Sequence, residues 1–180
     1  MPSNNIYNHY NCILGGYKPV ILDIGARNGT KHKILNQLAD QSLIKLILIE
    51  LDKKEAKKLN SKNIIVIDKA IWDKKGTQYV YLTKNKSYTS LLKPNENVIK
   101  GSFYYDRNFY KIVGKSKTKT TTINEILSNK KNNIRSIDFL KIDIQGGESK
   151  IFDNLTKNNW NNLLGCKTEA YSSQVYKNCK

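Results

Sequence analysis

The chain holds 180 residues, 39% hydrophobic and 26% charged, a length that suits one buried core and falls short of two ordinary domains. Its 31 lysines and arginines against 15 acids leave a net charge of +16, which would attract any polyanion at moderate salt. No apolar stretch reaches the roughly 18–20 residues that cross a bilayer. The opening MPSNNIYNHYN lacks a basic start and an apolar signal core, and Cys12, Cys166 and Cys179 have no metal-site spacing, so a soluble, cytoplasmic protein in a reducing compartment is expected.

The basicity has two readings, codon usage in an AT-rich genome or a charged ligand, and its distribution matters more than its total. Residues 74–119 carry ten lysines and Arg107 against Glu96 and Asp106, a net +9 of the +16. Residues 1–17 read as an N-terminal extension and 18–180 as a single domain, with 74–119 as a basic, tyrosine-bearing insertion.

In chain order, KPVILDIGARNGT reads as a short buried strand ending in a glycine turn, and TKHKILNQLADQ as a helix with apolar residues at helical spacing. LIKLILIELD is a continuous apolar run of the kind covered on both faces, followed by the helical KKEAKKLNSK; NIIVIDKA is a third such strand. TQYVYLT alternates like a half-exposed strand and NKSYTSLLKPNENV turns irregular. TTINEILSN predicts a helix capped by Thr121 or Thr122, SIDFLKIDIQ a fourth buried strand, ESKIFDNLTKNN a helix, and LLGCKTEAY a fifth strand. The alternation predicts an α/β domain, a doubly wound, mostly parallel sheet with helices on both faces.

Such sheets bind ligands beyond the carboxyl ends of their strands. Asp23, Gly25, Ala26, Arg27, Asn28 and Gly29 form a DxGxxxG turn in which Gly25 permits close backbone approach and Gly29 would let the helix start against the strand, leaving amides for an anionic group. Glu50, at the end of the second strand, could accept hydrogen bonds from both hydroxyls of a ribose. The same residues could also form no more than a tight turn and a strand cap. The GxGxxG of nicotinamide and flavin folds is missing, and the spacing favours S-adenosyl-L-methionine.

Four blocks, VILDIGARNG, LIELD, SYTSLL and DFLKIDIQGGE followed by KTEAYSSQVY, resemble the FkbM-type methyltransferases from Val20 to about Tyr176. The resemblance implies a Rossmann-like fold and O-methylation of a hydroxyl, often on a sugar or polyketide-like molecule. Carried over residue by residue, it implies Asp23, Gly25 and Gly29 in the cofactor loop, Glu50 on the ribose, and Asp68 with Ala70 beside the adenine.

Methyl transfer needs an aligned hydroxyl and a place for its proton. Asp143, at the mouth of the fourth strand, is the candidate base; Lys141 would tune it, Gln145 could bind the acceptor, and Glu148 and Glu169 complete the cluster. Lys141 and Asp143 could instead be a buried ion pair with Glu148 as a helix cap, and Asp143, Glu148 and Glu169 could offer oxygens to Mg²⁺. His9 and His32 show no catalytic partner, and Trp72 and Trp160 read as packing residues. The insertion's lysines and aromatic residues (Tyr79, Tyr81, Tyr88, Phe103, Tyr104, Tyr105, Phe109, Tyr110) suggest an overhang of the site mouth and an anionic acceptor. A phosphorylated or nucleotide-linked glycan comes first and an RNA ribose second, against a solvated, partly disordered loop. Only nine residues follow Tyr171, too few for the two closing strands of the seven-stranded form, so the fifth strand is expected as an open edge that a second subunit could shield; a non-catalytic binding relic would also fit.

Overall fold

In a computed structural model that describes residues 10, 12–30, 32–59 and 61–179, five parallel strands form the central sheet. They are β1 (Val20–Ile24), β2 (Lys45–Ile49), β3 (Ile64–Ile67), β7 (Phe139–Ile142) and β8 (Gly165–Thr168), in the order β3-β2-β1-β7-β8. The order reverses between β1 and β7, which opens a crevice at their carboxyl ends.

Side chains alternate across the sheet as strand geometry requires. Leu22, Ile24, Ile47, Ile49, Leu140 and Ile142 face one core with Ile123 and Ile126 of α5 (Ile123–Ser128) and Ile151 of α6 (Glu148–Asp153). Leu46 and Leu48 face the other with Leu38 and Ala39 of α1 (Lys33–Asp40). The doubly wound, Rossmann-like class expected from the alternating runs is the one observed.

Short helices are held by their caps. Asp52 accepts from the amides of Lys54 and Glu55 to start α2 (Lys53–Lys58), and the Thr122 hydroxyl accepts from Glu125 N at 3.1 Å to start α5. The stretch read as one helix after the fourth strand is two, α6 and α7 (Lys157–Asn162), with Thr156 capping the second.

TQYVYLT is the strand its alternation predicts, and the alternative of a solvated loop does not hold: β4 (Ala70–Ile71), β5 (Gly76–Thr83) and β6 (Ile112–Thr121) form a second sheet of order β4-β6-β5. β5 and β6 are an antiparallel ribbon, and α3 (Glu96–Gly101) and α4 (Arg107–Tyr110) lie between them. Its core is Trp72, Leu92, Ile99 and Tyr110, closed by Val175 and Tyr176. Residues 175–177 hydrogen-bond back to the insertion, through Asn95 N to Val175 O and Lys177 N to Lys93 O, both at 2.8 Å. Among the described residues β8 pairs with β7 alone, and no helix is long and apolar enough to cross a membrane.

Candidate functional site

A cavity of about 580 Å³ opens at the carboxyl ends of β1, β2 and β7, within the roughly 300–1,000 Å³ usual for cofactor sites. One end is made of backbone turns. Gly25 and Ala26 both donate to Ile49 O at 3.0 Å, binding the glycine turn to the end of β2. Gly25 sits at φ +84°, and a Cβ there would overlap the Asp143 carbonyl oxygen, so the turn and the end of β7 meet only through glycine. At Gly29 a Cβ would make ordinary contact with Leu59, so φ +79° is what favours glycine there. Since α1 begins only at Lys33, the expectation that Gly29 opens the helix does not hold.

Glu50 lines this end and is buried. One carboxylate oxygen accepts from Asp52 N at 2.8 Å, and the second has no protein donor among the described residues. Desolvation raises its pKa above the ordinary glutamate value, while the Asp52 amide and Arg27 pull it down. Arg27 is itself paired with Asp52 at 3.3 Å. Residues 69–72 supply the facing wall, including buried Ala70 and Trp72. Asp68, expected beside them, is exposed and outside the lining, because β3 ends at Ile67 and the chain has already turned toward β4.

The adjoining part of the lining is a side-chain network around Gln145. Its Nε2 donates to Asp143 Oδ1 and to Glu169 Oε2, each at 3.0 Å, while its Oε1 faces the hydroxyls of Tyr171 at 2.8 Å and Tyr176 at 3.1 Å. Two carboxylates can only accept and two protonated tyrosines can donate, so the amide's orientation is fixed. Burial above all, with nearby acidic groups adding, drives the pKa values of Tyr171 and Tyr176 far upward, which keeps both hydroxyls as donors. Gln145 sits at φ 64° and Gly146 at φ 96°, a left-handed turn pinned by Ser90, whose hydroxyl donates to Gln145 O at 2.7 Å. Tyr176 packs on Gly146 so closely that a Cβ there would meet its ring at 2.9 Å.

Three expectations change. Lys141 pairs with Asp23 at 2.7 Å and not with Asp143; Asp23 is almost fully buried and Lys141 one-fifth exposed. The register sets Asp23 beside Lys141 on the neighbouring strand, whereas Asp143 lies one residue past the end of β7. Glu148 is buried but outside the cavity lining: its Oε1 accepts from Ile144 N at 3.0 Å, clamping the 144–147 turn, and desolvation raises its pKa. With Glu148 so engaged, the three-carboxylate Mg²⁺ arrangement is not formed, and among the described residues no group of three His, Cys, Asp or Glu could hold a metal. Asp143 and Glu169 do line the cavity, at the same end as each other.

Residues 86–91 and Tyr110 form part of the cavity wall, so the insertion does overhang the site; Tyr79 and Tyr81 stay outside it. The roles of Ser90, Tyr171 and Tyr176 were not read from the sequence, although SYTSLL and KTEAYSSQVY had been singled out as blocks. Trp72 packs on Gly147 and also lines the cavity; Trp160 stacks on Phe152 at 5.6 Å. His32 precedes α1 without a side-chain cap bond, and His9 lies outside the described residues.

The sheet order and crevice define a Rossmann-like α/β domain with a nucleoside-sized pocket at its switch point. The family model for the methyltransferase FkbM domain matches residues 23–174, so the chain belongs to the FkbM methyltransferase family. Neither the curated proteins nor the solved structures gave a match.

Proposed function

We propose that the chain is an S-adenosylmethionine-dependent O-methyltransferase acting on a hydroxyl of a sugar or similar polyol. The observation that carries this reading is one cavity lined both by a glycine turn with a half-used buried carboxylate and by a two-carboxylate, tyrosine-rich network beside them. The glycine-turn part fits the cofactor: Glu50 has an oxygen to spare for ribose hydroxyls, and Ala70 with Trp72 offers an apolar wall to a base. When bound, S-adenosylmethionine supplies an electrophilic methyl group.

The protein's own contribution is alignment and proton removal. Asp143 follows the strand end that touches Gly25, and its Oδ2 has no protein donor among the described residues, so that atom takes the hydroxyl proton. Glu169 and the protonated Tyr171 orient neighbouring hydroxyls. Asp143 and Glu169 disfavour an anionic group beside them, so the part of the acceptor at this network is taken as a neutral ring.

An RNA ribose 2′-hydroxyl is the second reading, supported by the basic insertion and opposed by the two carboxylates, which would face the adjacent phosphate. We include in the proposal a cytoplasmic setting, in keeping with the free, exposed Cys12 and Cys166, and pairing of two copies through the open edge of β8.

Asp143→Asn tests the chemistry. The expected result is kcat lowered by about 10²–10⁴ with S-adenosylmethionine affinity, by calorimetry, within about threefold of the parent. Full turnover would remove Asp143 as the base, and failure of the parent to bind the methyl donor would remove the enzyme reading in favour of a binding relic.

A further inference from the structure

The β5–β6 ribbon has two unlike faces. Its register sets Thr77 opposite Lys119, Tyr79 opposite Lys117 and Tyr81 opposite Lys115. Period-two alternation places all six side chains on one face. The other face carries Val80, fully buried against the body of the domain, so the tyrosine-lysine face points outward. Tyr79 is 48% exposed, and Lys115, Lys117 and Lys119 are exposed. The Lys115 ammonium lies 3.9 Å from the Tyr79 ring centroid and 5.1 Å from that of Tyr81. Among the described residues no carboxylate pairs with any of the three lysines.

Three unneutralised cations spread over about 13 Å of strand suit an anion that repeats along a chain better than one carrying a single charge. The ribbon is joined at its edge to the cavity wall: Tyr81 N donates to Ser90 O at 2.8 Å, Ser90 N returns to Tyr81 O at 3.3 Å, and Ser90 both lines the cavity and holds Gln145. Within the cavity Asp143 and Glu169 disfavour an anionic group beside them, while the ribbon offers unpaired cations.

We propose that the outward face of the ribbon binds an anionic oligosaccharide whose neutral ring enters the cavity. Lys115, Lys117 and Lys119 take its carboxylates or phosphates, and Tyr79 and Tyr81 take the apolar faces of its sugar rings. The inference rests on the methyltransferase reading for what happens in the cavity, and on the ribbon alone for binding. A polynucleotide fits less well, because every nucleotide, including the one at the cavity, carries a phosphate toward the two carboxylates.

Calorimetry with a hyaluronan hexasaccharide, in which uronate rings alternate with neutral ones, with neutral maltohexaose and with hexauridylate tests it on the whole chain. The hyaluronan hexasaccharide is expected to bind, weakening roughly tenfold or more between 50 and 200 mM salt. The K115Q/K117Q/K119Q variant should lose at least about tenfold of that affinity while its circular dichroism and S-adenosylmethionine affinity stay at parental values. Absence of binding by the hyaluronan hexasaccharide, equal binding of maltohexaose, tighter binding of hexauridylate, or an unchanged triple variant would each overturn the proposal. Binding of the hyaluronan hexasaccharide without methyl-donor binding would uphold the ribbon site and remove the enzyme reading.

Discussion

The two sheets differ in how many of their faces are covered. The central strands VILDI, KLILI and IIVI are packed on both sides, and every second residue meets one core or the other. β6 reads IVGKSKTKTT because only one side of its sheet meets apolar neighbours; the other is in water. A strand's polarity therefore reports its number of buried faces. Function divides the same way, since the first sheet delivers backbone ends to the cavity and the second supplies a wall and an outward face.

The contrast can be broken first at the central sheet. Gly25→Ala is expected to cost about 3 kcal/mol or more, from φ strain and overlap with the Asp143 carbonyl, and to abolish methyl-donor binding. A thermal scan within 2–3 °C (about 1 kcal/mol) of the parent would mean the turn reshapes cheaply.

Glu50→Gln separates function from stability within the same turn. Because burial raises the folded-state pKa, the folded chain holds this proton more tightly than the unfolded one, and stability falls as pH rises from the ordinary glutamate value through the raised one. At pH 7 the variant should therefore melt at a higher temperature than the parent, a gain that vanishes below the ordinary glutamate pKa. Calorimetry should show donor affinity about 100-fold weaker. Unchanged affinity would mean that this carboxylate holds no ribose.

The ribbon gives the smallest and sharpest pair. Val80→Ala should cost about 2 kcal/mol in urea unfolding, whereas Lys117→Gln, next to Val80's cross-strand partner Ser116 but on the outward face, should stay within about 0.5 kcal/mol. Equal costs would mean that the outward face is packed rather than open.

The central sheet was legible because doubly buried strands announce themselves as apolar runs, and the glycine turn because its spacing is local. The Lys141 pairing was not, since alternation along one strand relates Lys141 to Asp143, whereas its partner Asp23 comes from strand order and register. Glu148 sat at the predicted helix start, yet its bond to Ile144 N depends on how the intervening turn closes. β6 received no strand reading because its lysines at every second position erase the apolar signal while keeping the strand period. Tyr171 and Tyr176 reach Gln145 through a return of the chain that no local pattern encodes.

That return has a consequence for how the molecule loosens. Tyr176 buttresses the Gln145 turn from a segment held to the insertion by a few backbone bonds and its own buried ring, outside the sheet ladders. Segments so tethered open at lower free energy than interior strands. The Gln145 network is thus held by a local latch, and mild denaturing conditions are expected to loosen it while the glycine turn, built on β1 and β2, persists.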